Sequence, residues 1–222
     1  MINTLQKSSN GRYLKYDERI GSGNYKTVYK GLDSDTGKEI AWNNVSLAGI
    51  KAEEKKLILN EIEILKSISG ECQHIMSLYA VWQDKKNNSI IYITELGNYT
   101  LNGYIVKLGC LEKSVIKNWT RQILLALNYL HTNYIIHRDI KTTNIFINTM
   151  SNNVMLGDFG TARKFDKSCK TVVGTPVYMA GEVYSGEYDE KVDIYSFGLC
   201  LIEMITGEQA YKEFLTIPLC IS

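Results

Sequence analysis

The sequence predicts an α+β fold, with a strand-rich first part and a helical second part. Two patterns carry that reading. Strand-like segments at Tyr13–Ile20, Lys38–Asn43, Ile75–Trp82 and Ile90–Thr94 all fall before Glu95. Helical spacing follows, short over Leu101–Lys107 and long over Ser114–Asn133. In the long segment Ile116, Trp119, Ile123, Leu127 and Leu130 recur on one face. Runs of strands followed by runs of helices build an α+β domain or two separate units. The 222 residues fit one large domain or two small lobes, and a hydrophobic fraction of 45% is enough for a real core.

Composition narrows the function classes. The formal net charge is +1, so bulk charge argues for neither nucleic acid nor membrane as a partner. No apolar run reaches spanning length, and Met1–Lys7 lacks the apolar core of a signal peptide. The five cysteines are odd in number and spread without a CxxC pair, which fits reduced thiols. A cytoplasmic protein is therefore expected. The three histidines do not cluster, so no zinc site is indicated.

Residues 1–11 are polar and read as a loose extension, with 1–12 set apart from the body of the chain. The strand from Tyr13 then runs into Gly21-Ser22-Gly23, and a further strand carries Lys26, Val28 and Gly31. Two glycines one residue apart between strands let the backbone approach phosphates closely. Lys26 and Val28 lie two apart on a strand and share a face, as do Ala41 and Asn43 on the next. Glu53–Ser69 reads as a helix, with Ile58, Ile62 and Leu65 at helical spacing and Glu61 on the face of Leu65. The richest stretch is Ile135–Ile147, where apolar residues flank a polar loop holding Asp139, Lys141 and Asn144 at fixed offsets. A second acid follows in Asp158-Phe159-Gly160. Two acids and an amide converging from separate loops can hold magnesium and aim a hydroxyl at a phosphate.

The pair of motifs, HRDxKxxN from His137 and DFG from Asp158, resembles the catalytic and metal-binding segments of the protein kinase family. The resemblance covers Tyr13 to about Tyr211. It implies a bilobal fold, with a small β-rich N-lobe over 13–96 and a hinge and helical C-lobe over 97–222. ATP and Mg2+ are the implied cofactors. By the resemblance, Ile20, Gly21, Gly23, Lys26, Val28, Ala41 and Glu61 surround the nucleotide, and Glu61, with Leu65 stacked behind it, is the helix glutamate that pairs with the phosphate-binding lysine. The carbonyl of Glu95 and the amide of Gly97 hold adenine, Phe146 floors its pocket and Thr94 limits its back. Asp139 accepts or orients the proton of the substrate hydroxyl, Lys141 neutralises the transferring phosphate, and Asn144 and Asp158 hold the metal. Leu65, Leu78, His137 and Phe159 would form an apolar spine. Lys141 and Gly174-Thr175-Pro176 resemble serine/threonine rather than tyrosine kinases, so protein substrates bearing Ser or Thr are the implied partners. The activation segment, Asp158–Glu182, contains Ser168, Thr171 and Thr175. A phosphate placed on Thr171 by an upstream or trans-activating kinase would pair with Arg138 and order the segment.

Several positions depart from the family pattern. The strand lysine that binds the α- and β-phosphates is replaced by Asn43, and a neutral amide is no counter-charge for phosphate. Lys26 stands where a third glycine is usual. Neighbouring strands lie about 4.8 Å apart, so a lysine on one can reach the site normally served from the other. This combination is similar to the "with no lysine" (WNK) kinases, which carry the lysine in the glycine-rich loop. In that group an inhibitory chloride sits beside Asp-Leu-Gly-Leu; Phe159 and Thr161 replace both leucines here. Ala180-Gly181-Glu182 stands for Ala-Pro-Glu, and no arginine follows Arg163, so Glu182 should lack its usual partner at a cost if buried. Asp193 matches the family's helix-capping aspartate. The implied C-lobe lacks its last helices, which should leave apolar surface uncovered. The rival to an active kinase is a nucleotide-binding scaffold without catalysis, favoured by Asn43 and opposed by Asp139, Asn144 and Asp158.

Overall fold

The computed structural model describes residues 4–22, 26–165 and 169–211. The chain falls into two units, Met1–Leu96 and Gly97–Ser222. In the first unit six antiparallel strands form one sheet. They are β1 (Thr4–Lys7), β2 (Tyr13–Ser22), β3 (Lys26–Asp33), β4 (Lys38–Ser46), β5 (Leu78–Asp84) and β6 (Ser89–Glu95), in the order β1-β2-β3-β4-β6-β5. A single helix, α1 (Ala52–Ile68), joins β4 to β5.

The sheet is packed on both faces. On one, Tyr13, Ile40, Trp42, Ile91 and Ile93 cluster with Tyr29, Ala80 and Trp82. Trp42 meets Trp82 edge to face, with centroids 5.2 Å apart. On the other, Val45, Ile90 and Tyr92 pack against Ile62 of α1. Double-sided burial explains why β6 reads as a continuous apolar run rather than an alternation. Residues 4–7 correct the expectation of a loose extension. They pair with β2, Lys7 facing Leu14, and Gln6 donates to Asp84 of β5 across 3.4 Å. An edge strand needs backbone partners but little apolar character, so Thr-Leu-Gln-Lys gave no strand signal. The start of β2 is clamped from the preceding residue: the Arg12 guanidinium donates to both Asp33 oxygens, at 2.9 and 2.7 Å. That bidentate bond holds the Asp33 carboxyl down at about 2.

The second unit runs through β7 (Tyr99–Thr100), α2 (Leu101–Leu108), α3 (Lys113–Thr132), β8 (Ile135–Ile136), β9 (Ile145–Asn148), β10 (Asn153–Leu156) and β11 (Arg163–Lys164). A 3-10 turn (Pro176–Tyr178), α4 (Glu182–Ser185) and α5 (Lys191–Thr206) follow. Small sheets of order β10-β9-β7 and β11-β8 flank the loop 137–144. The α2 helix starts where the Thr100 hydroxyl accepts from the Gly103 N–H, a side-chain cap. In α3 the expected stripe is buried at Trp119, Ile123, Leu127 and Leu130, and Ile116 is half-buried. None of the described helices is long and apolar enough to cross a membrane.

Two expectations at the end of this unit need correction. Glu182 is exposed, so its lack of an ion pair among the described residues leaves no buried charge stranded. Asp193 does not cap α5, whose N-cap is Glu190; it lies in the first turn and is buried. Further along α5, Ile194, Ile202 and Ile205 are about half exposed.

Candidate active site

In the first unit the site residues are set by strand register. Lys26 faces Val45, Val28 faces Asn43, and Ala41 faces Thr94, so Lys26, Val28, Ala41 and Asn43 share a face of the sheet. The same face packs α1, whose buried side carries Glu61, Ile62 and Leu65 while Glu63 is exposed. The Lys26 ammonium reaches Glu61 at 3.3 Å and lies 5.0 Å above the centre of the Tyr92 ring. Glu61 is 6% exposed, and both its oxygens accept from the Tyr92 hydroxyl at 3.2 Å. Asn43 is buried and its amide is engaged, donating towards the Ala41 and Tyr92 carbonyls and the Thr94 hydroxyl at 3.1 to 3.3 Å. At the tip of the β2–β3 hairpin, Ile20 is exposed. A Cβ added at Gly21 would make only ordinary contact with Val28. Gly23 lies outside the described residues. Glu95 ends β6 with its amide on the Ser77 carbonyl at 2.9 Å, and burial raises its carboxyl pKa.

In the second unit the loop 137–144 is organised from below by Asp193. Its two oxygens accept from the backbone N–H groups of His137 and Arg138, at 2.9 and 2.8 Å, and from the His131 ring at 2.9 Å. Arg138 is held at φ 66°, a conformation uncommon outside glycine. Asp139 comes next, and three donors converge on its carboxylate. Thr175 Oγ1 lies 2.7 Å from Oδ1; Lys141 Nζ and Asn144 Nδ2 lie 2.7 and 3.0 Å from Oδ2. Lys141 also donates to Thr175 Oγ1 at 2.8 Å, closing a ring of three side chains. Burial by itself would raise the Asp139 pKa; the bonds from Lys141 and Thr175 outweigh it and hold the carboxyl below its ordinary value. Thr175 is delivered by Gly174, at φ 117°, where a Cβ would collide with the Arg138 carbonyl. Gly97 is likewise required by packing, since a Cβ there would sit 2.7 Å from Cβ of Phe146.

Asn144 is buried and turns its amide nitrogen onto Asp139, which leaves its amide oxygen as the face for a cation. Asp158 is exposed at φ 60°, and among the described residues its Oδ1 accepts only a long 3.4 Å bond from the Gly160 amide. One carboxylate and one amide oxygen suit a hard ion that takes its remaining ligands from phosphates and water. Among the described residues no three His, Cys, Asp or Glu side chains group as a closed metal cage. Phe159 is buried with its ring 5.0 Å from that of His137. In the activation segment Thr171 is exposed. Its carbonyl accepts from the Tyr188 hydroxyl, which itself lies 3.4 Å from an Arg138 nitrogen. Ser168 is outside the described residues. The described cysteines Cys72, Cys110, Cys169 and Cys200 are all unpaired.

Sequence reasoning did not find the roles of Tyr92, Thr175 and Asp193. Tyr92 sits inside an apolar strand and gave no signal. Thr175 stands out only as part of a motif and as one of three hydroxyls of the activation segment, and its 36-residue separation from Asp139 hides the contact.

A strand-rich unit in which a half-buried lysine meets a buried glutamate, and a helical unit presenting an ionised Asp beside Lys and Asn, define a phosphoryl-transfer class of protein. The family model "Protein kinase domain" matches residues 14–216, and the chain belongs to that family. Within it, the chain is similar to proteins named as WNK kinases. It is 42% identical over 217 residues to "Serine/threonine-protein kinase WNK" of Caenorhabditis elegans, which covers 94% of this chain and 12% of that protein. It is 43% identical over 214 residues to "Serine/threonine-protein kinase WNK8" of Arabidopsis thaliana, covering 94% and 38%. It is 40% identical over 212 residues to "Serine/threonine-protein kinase WNK4" of Rattus norvegicus, covering 93% and 17%. The chain thus spans well under half the length of these relatives.

Proposed function

We propose that this chain is a serine/threonine protein kinase that transfers the γ-phosphate of Mg-ATP to protein hydroxyls, with Lys26 as the phosphate-binding cation. The observation that carries the reading is the Lys26–Glu61 pair on the strand face shared with Val28 and Ala41, while Asn43 is tied into the sheet. Three N–H donors on the ammonium allow it to hold Glu61 and a phosphate oxygen together. Ile20, Gly21, Gly23, Val28 and Ala41 line the nucleotide, and the backbone of Glu95 and Gly97 with Phe146 receives the adenine.

At the other end of the reaction, Asp139 is ionised and takes or orients the hydroxyl proton. Lys141 stands 2.7 Å away to neutralise the transferring group, and Thr175 fixes both. Asn144 and Asp158 hold magnesium, whose charge screens the phosphates when bound. An exposed Thr171 close to the Arg138–Tyr188 contact supports its phosphorylation by an upstream or trans-activating kinase as the ordering step. A cytoplasmic location fits the unpaired cysteines.

Transfer of radiolabelled phosphate to a protein substrate tests the proposal, with Asp158→Ala as the inactive control. Lys26→Met should reduce transfer at least about a hundredfold, the loss of one preorganised charge at the reacting phosphates. Transfer by wild type that equals the Asp158→Ala background would favour the scaffold. Unchanged transfer by Lys26→Met would remove the lysine from the mechanism.

A further inference from the structure

We propose that Tyr92 is a positioning residue for the phosphate-binding cation, holding Glu61 and Lys26 in their paired geometry; this rests on the reading of Lys26 given above. Tyr92 is 1% exposed, and its hydroxyl lies 3.2 Å from each oxygen of Glu61. Its ring lies under the Lys26 ammonium at 5.0 Å, within the range of cation–π attraction. One side chain therefore touches both members of the ion pair, through different atoms.

The physical need for it follows from burial. Glu61 is nearly withdrawn from water, and a buried carboxylate is costly unless its lone pairs are met. The ammonium at 3.3 Å is a long partner and has to be shared with a phosphate. The phenol keeps Glu61 satisfied while Lys26 turns part of its donor set outward. The ring gives the lysine a floor beneath its ammonium. Tyr92 is itself anchored, because it faces Asn43 in the register and its carbonyl accepts from the Asn43 amide. Asn43, Tyr92 and Lys26 thus form one device. The amide fastens the strand that carries the tyrosine, and the tyrosine carries the lysine.

Isothermal titration of the full chain with Mg-ATP and with adenosine tests this, using Tyr92→Phe, Lys26→Met and the double variant. Tyr92→Phe should weaken Mg-ATP about ten- to a hundredfold, the loss of one hydrogen bond to a charged group. Adenosine, which has no phosphate, should bind as it does to wild type. In the Lys26→Met background the same change should add less than about twofold, because the two act through one contact. Equal weakening of ATP and adenosine, or fully additive losses, would overturn the proposal. A second readout does not depend on nucleotide. With 3-fluorotyrosine at position 92, the fluorine resonance should move on Glu61→Gln. If Lys26→Met binds Mg-ATP as wild type does, the relocated lysine fails as a phosphate anchor. The fluorine resonance then decides the remaining claim: displacement sustains Tyr92 as the holder of Glu61, and an unmoved resonance overturns it.

Discussion

Replacing Asp193 by Asn should loosen the catalytic loop out of proportion to the size of the change. The carboxylate is 1% exposed and serves three donors, the His137 and Arg138 amides and the His131 ring, at 2.8 to 2.9 Å. Asparagine keeps one oxygen but turns an NH2 group towards one of those donors. A buried N–H without an acceptor costs about 1–3 kcal/mol, and the surviving bonds lose charge assistance worth about 1 kcal/mol more. The sum, about 2–4 kcal/mol, corresponds to a fall in Tm of about 4–16 °C for a chain of this size. Circular dichroism melts read the stability. Amide hydrogen exchange at His137 and Arg138 reads the location, where protection should be lost in the variant. Phosphate transfer should fall at least about tenfold, since Asp139 follows Arg138 directly and a small misplacement of a reacting group is expensive in rate. A melt within a degree of wild type, with both amides still protected, would refute the role given to Asp193.

Two further outcomes follow from the electrostatics. Asp139 is held below its ordinary pKa, so its ionised form, and the stability that goes with it, persists above the unfolded value near 3.9 and is lost as pH falls through the folded one. Thr175→Val removes one of the bonds responsible, so a carboxylate NMR titration should place Asp139 higher in the variant than in wild type; an unmoved titration would contradict the ring of Asp139, Lys141 and Thr175. Asp33, held down at about 2 by Arg12, contributes stability present above pH 4 and lost as pH falls towards 2. Arg12→Ala should therefore lower Tm at neutral pH, with the gap from wild type closing between pH 4 and 2. A gap constant across that range would assign the effect of Arg12 to packing instead.

The motif vocabulary of this chain is legible because it is local. Asp139, Lys141 and Asn144 lie within six residues, and Asp158 heads its own short motif, so residue type and spacing alone propose their chemistry. The α1 helix and the α3 stripe are legible for a similar reason, because a 3.6-residue period writes their buried faces into the sequence. Strand alternation likewise put Lys26, Val28, Ala41 and Asn43 on a common face, and the register aligns them so. Strand β1 was illegible because an edge strand of four polar-leaning residues owes its existence to β2 rather than to its own pattern.

What the sequence by itself determined is the family, the HRDxKxxN and DFG motifs and the departure at Asn43 and Lys26. Only the tertiary structure decided that Tyr92 joins Glu61 in holding that lysine and what organises the loop beneath Asp139. Glu61 and Tyr92 are 31 residues apart, and Asp193 lies 56 residues beyond His137. Such contacts depend on chain reversals that bring distant segments together. A one-dimensional pattern carries the period of each element but not the distance between two of them.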